Sequence, residues 1–227
     1  MQWQIRLTGL LIVGGSFFQG CGHAGRPATP ATPAVDTIVA AQRGRIPADA
    51  MDAAFDYFRT HPSEISNKNC VTIIDFDQPS TARRMHVIDM RSGGVEDLLV
   101  AHGKKSGENL ATQFSNVPGS NMSSLGIYLT GEQIVSPKHG TAMLLHGKQA
   151  SNDNALKREI IFHGADYVSE KFIEENGRLG RSLGCPAVEN GVVDRLVGQL
   201  EGGSVMLIYK SSDTPGTTHA VSRTDLR

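Results

Sequence analysis

The 227-residue chain lacks an excess of charge of either sign, with 22 Lys and Arg against 23 Asp and Glu and a formal net charge of -1. Without a basic excess, nucleic acid is set aside as a partner. Three cysteines give no disulfide framework, and a chain of this length builds a core for one domain plus extensions without staples. No C-x-x-C or H-x-x-x-H pair occurs, which weighs against a zinc site. Long hydrophobic runs are also missing. The mostly apolar stretch at residues 7–18 is too short for a comfortable stable span of a bilayer. Aromatics make up only 6% beside 25 glycines, a balance that favours tight turns and short strands. There is no internal repeat.

The N-terminus reads as a targeting segment. In "MQWQIRLTGLLIVGGSFFQGC", Arg6 precedes the apolar stretch, so residues 1–21 are expected to be an export signal. Its end, "FFQGC", resembles a bacterial lipoprotein signal, with Gly20 before Cys21, the cysteine expected to take a lipid. Plain secretion and a retained anchor are the alternatives. Residues 22–36 come next as a Pro/Ala/Thr linker, "GHAGRPATPATPAV". Extended polyproline geometry gives it a reach on the order of 40 Å, enough to hold a catalytic domain away from a membrane surface.

Residues 37–69 read as a helical extension. "IPADAMDAAFDYFRTHP" places Met51, Ala54, Phe55 and Phe58 at helical spacing between Pro47 and Pro62. From residue 70 the pattern turns to short β-rich runs: "CVTIIDF", "RMHVIDM" and "VEDLLVAHG", the last two joined by a hairpin turn at "RSGG". After a polar loop come "LGIYLTGE", "TAMLLHG" and "REIIFHG". Helices are expected near residues 167–175 and 191–200, then a strand "SVMLIYK" and a polar tail at 211–227. Strands dominate and crossover helices come late. The expected fold is mainly β, an antiparallel sandwich or partly open barrel with peripheral helices.

One cysteine is placed unlike the others. Cys70 opens an apolar strand and reads as core, whereas Cys185 lies in "GRLGRSLGCPAVENG", a turn-like segment of small residues that lets a reactant approach. A nucleophilic thiol needs a neighbour that favours its thiolate. Backbone N–H groups at the start of the helix expected from residue 191 offer one source. A histidine base is the other. His146 and His163 each end an apolar strand just before a glycine, held by the sheet yet accessible. A Cys70–Cys185 disulfide and a zinc site from His146, His163 and Cys185 are lesser alternatives.

"IIFHGADYV" followed by "GRLGRSLGCPAV" resembles the L,D-transpeptidase catalytic domain of bacterial cell walls. His163 with Gly164 matches the family's His-Gly pair. Ser182, Gly184 and Cys185 match its Ser/Thr-His-Gly-Cys motif, with eighteen residues between His163 and Ser182. "AHGKKSGE", "SNVPGSN" and "HGADYVS" are similar to a murein transpeptidase-like branch, and the likeness covers most of residues 70–210. Two positions depart from the pattern: Leu183 stands where the family has histidine, and Ala187 where it has a polar residue.

The resemblance implies a peptidoglycan L,D-transpeptidase without metal or organic cofactor. Cys185 would attack the carbonyl of the third residue of a stem peptide and release the terminal D-alanine. His163 would be the base, its imidazole oriented by a backbone carbonyl near Gly164, and backbone N–H groups near Gly184 and Cys185 would hold the oxyanion. An amine of a neighbouring stem then resolves the thioester into a cross-link. His146 is left to substrate positioning or packing. With Ala187 unable to contact a substrate carboxylate, that contact is expected from Arg181, more than from Arg178. Two rival readings stay open: an L,D-carboxypeptidase or amidase on the same site, and a non-catalytic wall-binding module. The expected partners are stem peptides and, through Cys21, the membrane of the cell envelope; the expected state is a monomer.

Overall fold

A computed structural model describes residues 33–211. The export signal with Cys21, most of the linker and nearly all of the polar tail lie outside the described residues. The elements are α1 (Val35–Ala41), α2 (Ala48–Thr60), β1 (Cys70–Asp75), β2 (Met85–Asp89), β3 (Val95–Leu98), β4 (Gly126–Ser136), β5 (Gly140–Gly147), β6 (Ile161–Gly164), α3 (Glu170–Asn176), β7 (Ala187–Val188), α4 (Asn190–Leu200) and β8 (Val205–Tyr209). Helix α1 was not expected and begins inside the stretch read as linker.

All eight strands form one sheet in the order β3-β2-β1-β8-β4-β5-β6-β7. The pairs β1–β8 and β6–β7 are parallel and the others antiparallel. The sheet curls until its ends nearly meet: past β3, the Ala101 N–H donates to Ala187 O at 2.8 Å. The result is a single rolled sheet, the barrel alternative.

The central strands explain why their sequences fail to alternate. "CVTIID" and "VMLIY" are buried at every position, because both faces of the sheet are covered. Cys70, Ile74, Met206 and Ile208 face the barrel interior, which α4 closes with Val193, Leu196, Val197 and Leu200. Val71, Ile73, Val205 and Leu207 face outward beneath α2, which buries Ala50, Met51, Ala54 and Phe55 at helical spacing. Cys70 is a free thiol inside the first core; Gln199 Nε2 donates to its sulfur at 3.3 Å.

The β4–β5 hairpin is longer than the sequence suggested. Its register shifts between Thr130 and Gln133, and there burial gives way to exposure. Beyond this bulge the ribbon leaves the core, and its tip, residues 136–140, reaches a cavity that Cys185 and His163 also line.

Candidate active site

The segment around Cys185 is pinned on both sides. The Ser182 N–H donates to His102 O at 3.0 Å, and Ser182 O accepts from the Lys104 N–H at 2.8 Å. The Ser182 hydroxyl donates to Cys185 O at 2.6 Å and accepts from the Gly184 N–H at 3.0 Å. Gly184 has φ +133°, and a Cβ there would lie 2.8 Å from Met122 O, so only glycine fits. Ser182 therefore braces the turn from within. The Gly184 N–H is spent on that brace, whereas no backbone carbonyl among the described residues accepts from the Cys185 N–H.

Cys185 leads first into a short strand and then into the expected helix. Residues 187–188 form β7, and α4 starts at Asn190, one residue before the expected start. β7 runs parallel to β6 with His163 opposite Ala187, and side chains two apart share a face. This register places Cys185 beside Ile161, whose N–H donates to Sγ at 3.5 Å. Cys185 and His163 thus open on one cavity of about 710 Å³, within the range of small-molecule sites.

His163 Nδ1 lies 2.8 Å from Gly164 O. A carbonyl only accepts, so Nδ1 carries the proton and Nε2 keeps its lone pair for a substrate-side proton. Burial first, with the charges of His139 and Lys138, pushes the His163 pKa down to about 4 against the pull of the Gly164 bond. Burial also raises the Cys185 thiol, opposed by the Ile161 N–H and the charge of Arg158. At neutral pH the resting pair is therefore thiol and neutral imidazole. The S–H points to Glu159 O at 3.7 Å, the carbonyl of a residue held at φ +54°.

The other expected residues separate. Arg181 lines the cavity, but its Nη1 donates to Glu108 Oε1 at 2.6 Å, Gly107 O at 3.0 Å and Lys104 O at 3.2 Å. Arg178 Nε meets the same Glu108 at 3.0 Å. The two arginines share a carboxylate the chain itself supplies. The His146 side chain packs at Gly131, where a Cβ would lie 2.6 Å from its Nε2, and His146 is not among the cavity-lining residues. Leu183 is 54% exposed at the cavity rim.

Three lining residues escaped the sequence reading. His139, at the hairpin tip, stacks on His163 with ring centroids 3.8 Å apart. Arg158, just before β6, runs beneath the Cys185 turn. Tyr167 packs against Gly180, where any side chain would overlap its ring, and burial and the Cys185 charge push its phenol up to about 12. The one available signal was "SPKHG" between two β-rich runs, a turn that puts His139 at the end of a ribbon.

A family model described as the L,D-transpeptidase catalytic domain matches residues 42–209. Among solved structures, the chain is similar to an L,D-transpeptidase from Mycobacterium smegmatis at 12% identity, covering 63% of this chain and 59% of that one, with a TM-score of 0.39. It is similar to the helical cell shape determining protein Pgp2 from Campylobacter jejuni at 14% identity, covering 64% and 50%, with a TM-score of 0.41. An L,D-transpeptidase from Xylanimonas cellulosilytica aligns at 14% identity over 63% and 62%, with a TM-score of 0.37. The chain spans between half and two thirds of the length of these three structures. No curated protein matches it.

Proposed function

Because the chain belongs to the L,D-transpeptidase catalytic domain family, we propose that it cross-links peptidoglycan stem peptides through a thioester on Cys185. The observation that carries this reading is the shared cavity of Cys185 and His163, with the imidazole tautomer locked by Gly164 O. As Cys185 Sγ attacks the donor carbonyl, the thiol proton passes to His163 Nε2. The tetrahedral oxyanion takes the Cys185 N–H as a donor. Collapse breaks the C–N bond, and His163 returns the proton to the departing amine. An acceptor amine then attacks the thioester, loses a proton to His163, and the thiol is restored.

The cavity favours an anionic donor: Lys138 and Arg158 line it against the carboxylate of Glu159, while the lining Arg181 is paired with Glu108. We place the enzyme in the cell envelope, tethered by a lipid on Cys21. Purified muropeptides incubated with the protein and read by mass spectrometry test the reaction. Cross-linked dimers that vanish in Cys185→Ala support transfer. Trimmed monomers alone would make the protein a hydrolase on the same site. No product together with an unreactive thiol would leave a wall-binding module.

A further inference from the structure

A half-buried thiolate needs a positive charge nearby, and burial keeps His163 neutral. The structure offers another cation. Arg158 Nη1 donates to Ser115 O at 2.8 Å and to the Ser124 hydroxyl, and Nη2 donates to Met122 O at 2.5 Å and Ser120 Oγ at 3.2 Å. Its Nε is buried without a partner. Every acceptor is a neutral carbonyl or hydroxyl, and no carboxylate among the described residues forms a salt bridge with this guanidinium. By contrast, Arg178 and Arg181 are both tied to Glu108.

The position of this charge is fixed. A Cβ on Gly184 would fall 3.2 Å from Arg158 Nη2, so the guanidinium lies against the residue just before the nucleophile. The Met122 carbonyl that Arg158 holds is the group that forbids a side chain on Gly184. Arg158 and Cys185 line the same cavity. An arginine cannot lose its proton to the thiolate it faces, so its charge persists through the reaction.

We propose that Arg158 is the positioning residue that supplies the counter-charge of the Cys185 thiolate, from a loop outside the cysteine motif. The role rests on the reading of Cys185 as the nucleophile. It makes proton transfer from the thiol to His163 less costly by stabilising the product anion. The structural contacts to residues 115–124 are a second consequence of the same fork, holding that loop under the turn. Other charged or titratable groups around the thiol are Lys138 and His139 on the hairpin, His163 on β6, Glu159 before it, Tyr167 after it, Arg181 on the cysteine's own segment and the buried phenol of Tyr128 on β4.

Alkylation of Cys185 by iodoacetamide across a pH series, quantified by peptide mapping, reads the thiolate without any peptidoglycan substrate. Arg158→Gln keeps a donor and loses the charge. It should move the alkylation midpoint up by about one pH unit and slow the reaction at neutral pH about tenfold. Arg158→Lys should stay near the wild type, and so should Ser124→Ala, which loosens the loop with the cation in place. An unmoved midpoint in Arg158→Gln would overturn the proposal. So would a shift in Arg158→Lys or Ser124→Ala of more than one pH unit, and the Lys variant keeps that test open should the Gln variant fail to fold. A wild-type Cys185 inert to alkylation at every pH would remove the nucleophile itself, and with it both readings. A normal wild-type profile with no effect of Arg158→Gln removes this one alone.

Discussion

Replacing His139 tests whether the hairpin tip sets the proton affinity of the base. The His163 pKa lies at about 4 instead of the ordinary 6.5, chiefly through burial and then through the charges of His139 and Lys138. That difference is a preference for the neutral ring of roughly 3 kcal/mol. His139 covers one face of the ring at 3.8 Å. His139→Ala opens this face to water and removes the neighbouring positive charge, so the His163 pKa should rise by about one unit, or ~1.4 kcal/mol. His139→Phe keeps the cover without the charge and should retain most of the depression, since burial is the larger cause.

The sign is fixed by the chemistry. His163 accepts a proton only when neutral, so the acid limb of kcat/KM follows its pKa in the free enzyme. A raised pKa makes activity fall earlier on acidification. Donor acylation measured from about pH 4 to 8 should therefore show an acid limb about one unit higher in His139→Ala. An NMR titration of labelled His163 should move in parallel. An acid limb that stayed in place in His139→Ala, or moved as far in His139→Phe, would show that the stack does not hold the base neutral by covering it.

Other outcomes rest on the same geometry. Cys185→Ala should abolish turnover while Cys70→Ala keeps it, and the reverse would make Cys70 the nucleophile. Replacing Ser182 with Ala leaves Cys185 O and the Gly184 N–H without their shared partner, so donor acylation should drop about tenfold for one lost hydrogen bond; an unchanged rate would free Ser182 of its bracing role. Arg181 is held by Glu108, so Arg181→Ala should cost donors with a free and with an amidated carboxylate about equally, and a selective loss of roughly tenfold on the free carboxylate would show that Arg181 leaves Glu108 to bind it. His102 and His163 both sit at about 4 when folded, below the unfolded value, so the unfolded chain binds more protons between about pH 6.5 and 4. Denaturant melts should thus show stability falling as pH drops through that window, by up to about 1.4 kcal/mol per pH unit for each histidine, and a flat profile from pH 7 to 5 would contradict it.

Much of the fold was open to reading because its signals are local. The alternation break at residue 70, the "RSGG" turn and the apolar spacing in α2 each depend on neighbours within one element. Cys185 was legible for a similar reason, since a cysteine between Gly184 and Pro186 stands outside any apolar run, although its side chain also packs against the barrel core. The hidden parts depend on register. "IVSPKHGT" carries no strong period, and its ribbon forms because β4 and β5 extend a pairing begun in the core. β7 is only two residues long, and nothing in "AV" announces a strand. The placement of His146 away from the cavity has the same origin. His146 and His163 share their sequence setting, but the Gly131 bulge takes up one side chain and the cavity the other.

The departures at Leu183 and Ala187 make sense together with the elements around them. Ala187 sits where β7 meets both His163 on β6 and the chain at Ala101, at 0% exposure. A longer polar side chain there would have to enter the small apolar cluster of Leu99, Ala101 and Leu179, and a buried, unpaired polar group costs about 1–3 kcal/mol. Arg158, in the loop before β6, brings a charge to the Cys185 turn from outside the motif. Leu183 is exposed at the rim, and the imidazoles that line the cavity are those of His163 and His139 on the hairpin. Cys185 sits two residues before β7 and His163 lies on its partner strand β6, while the Arg158 charge and the His139 ring come from a loop and a ribbon that line the same cavity. Substitutions in that loop and that ribbon should therefore alter acylation about as much as Ser182→Ala does, though not as much as Cys185→Ala, and a scan restricted to the motif would miss them.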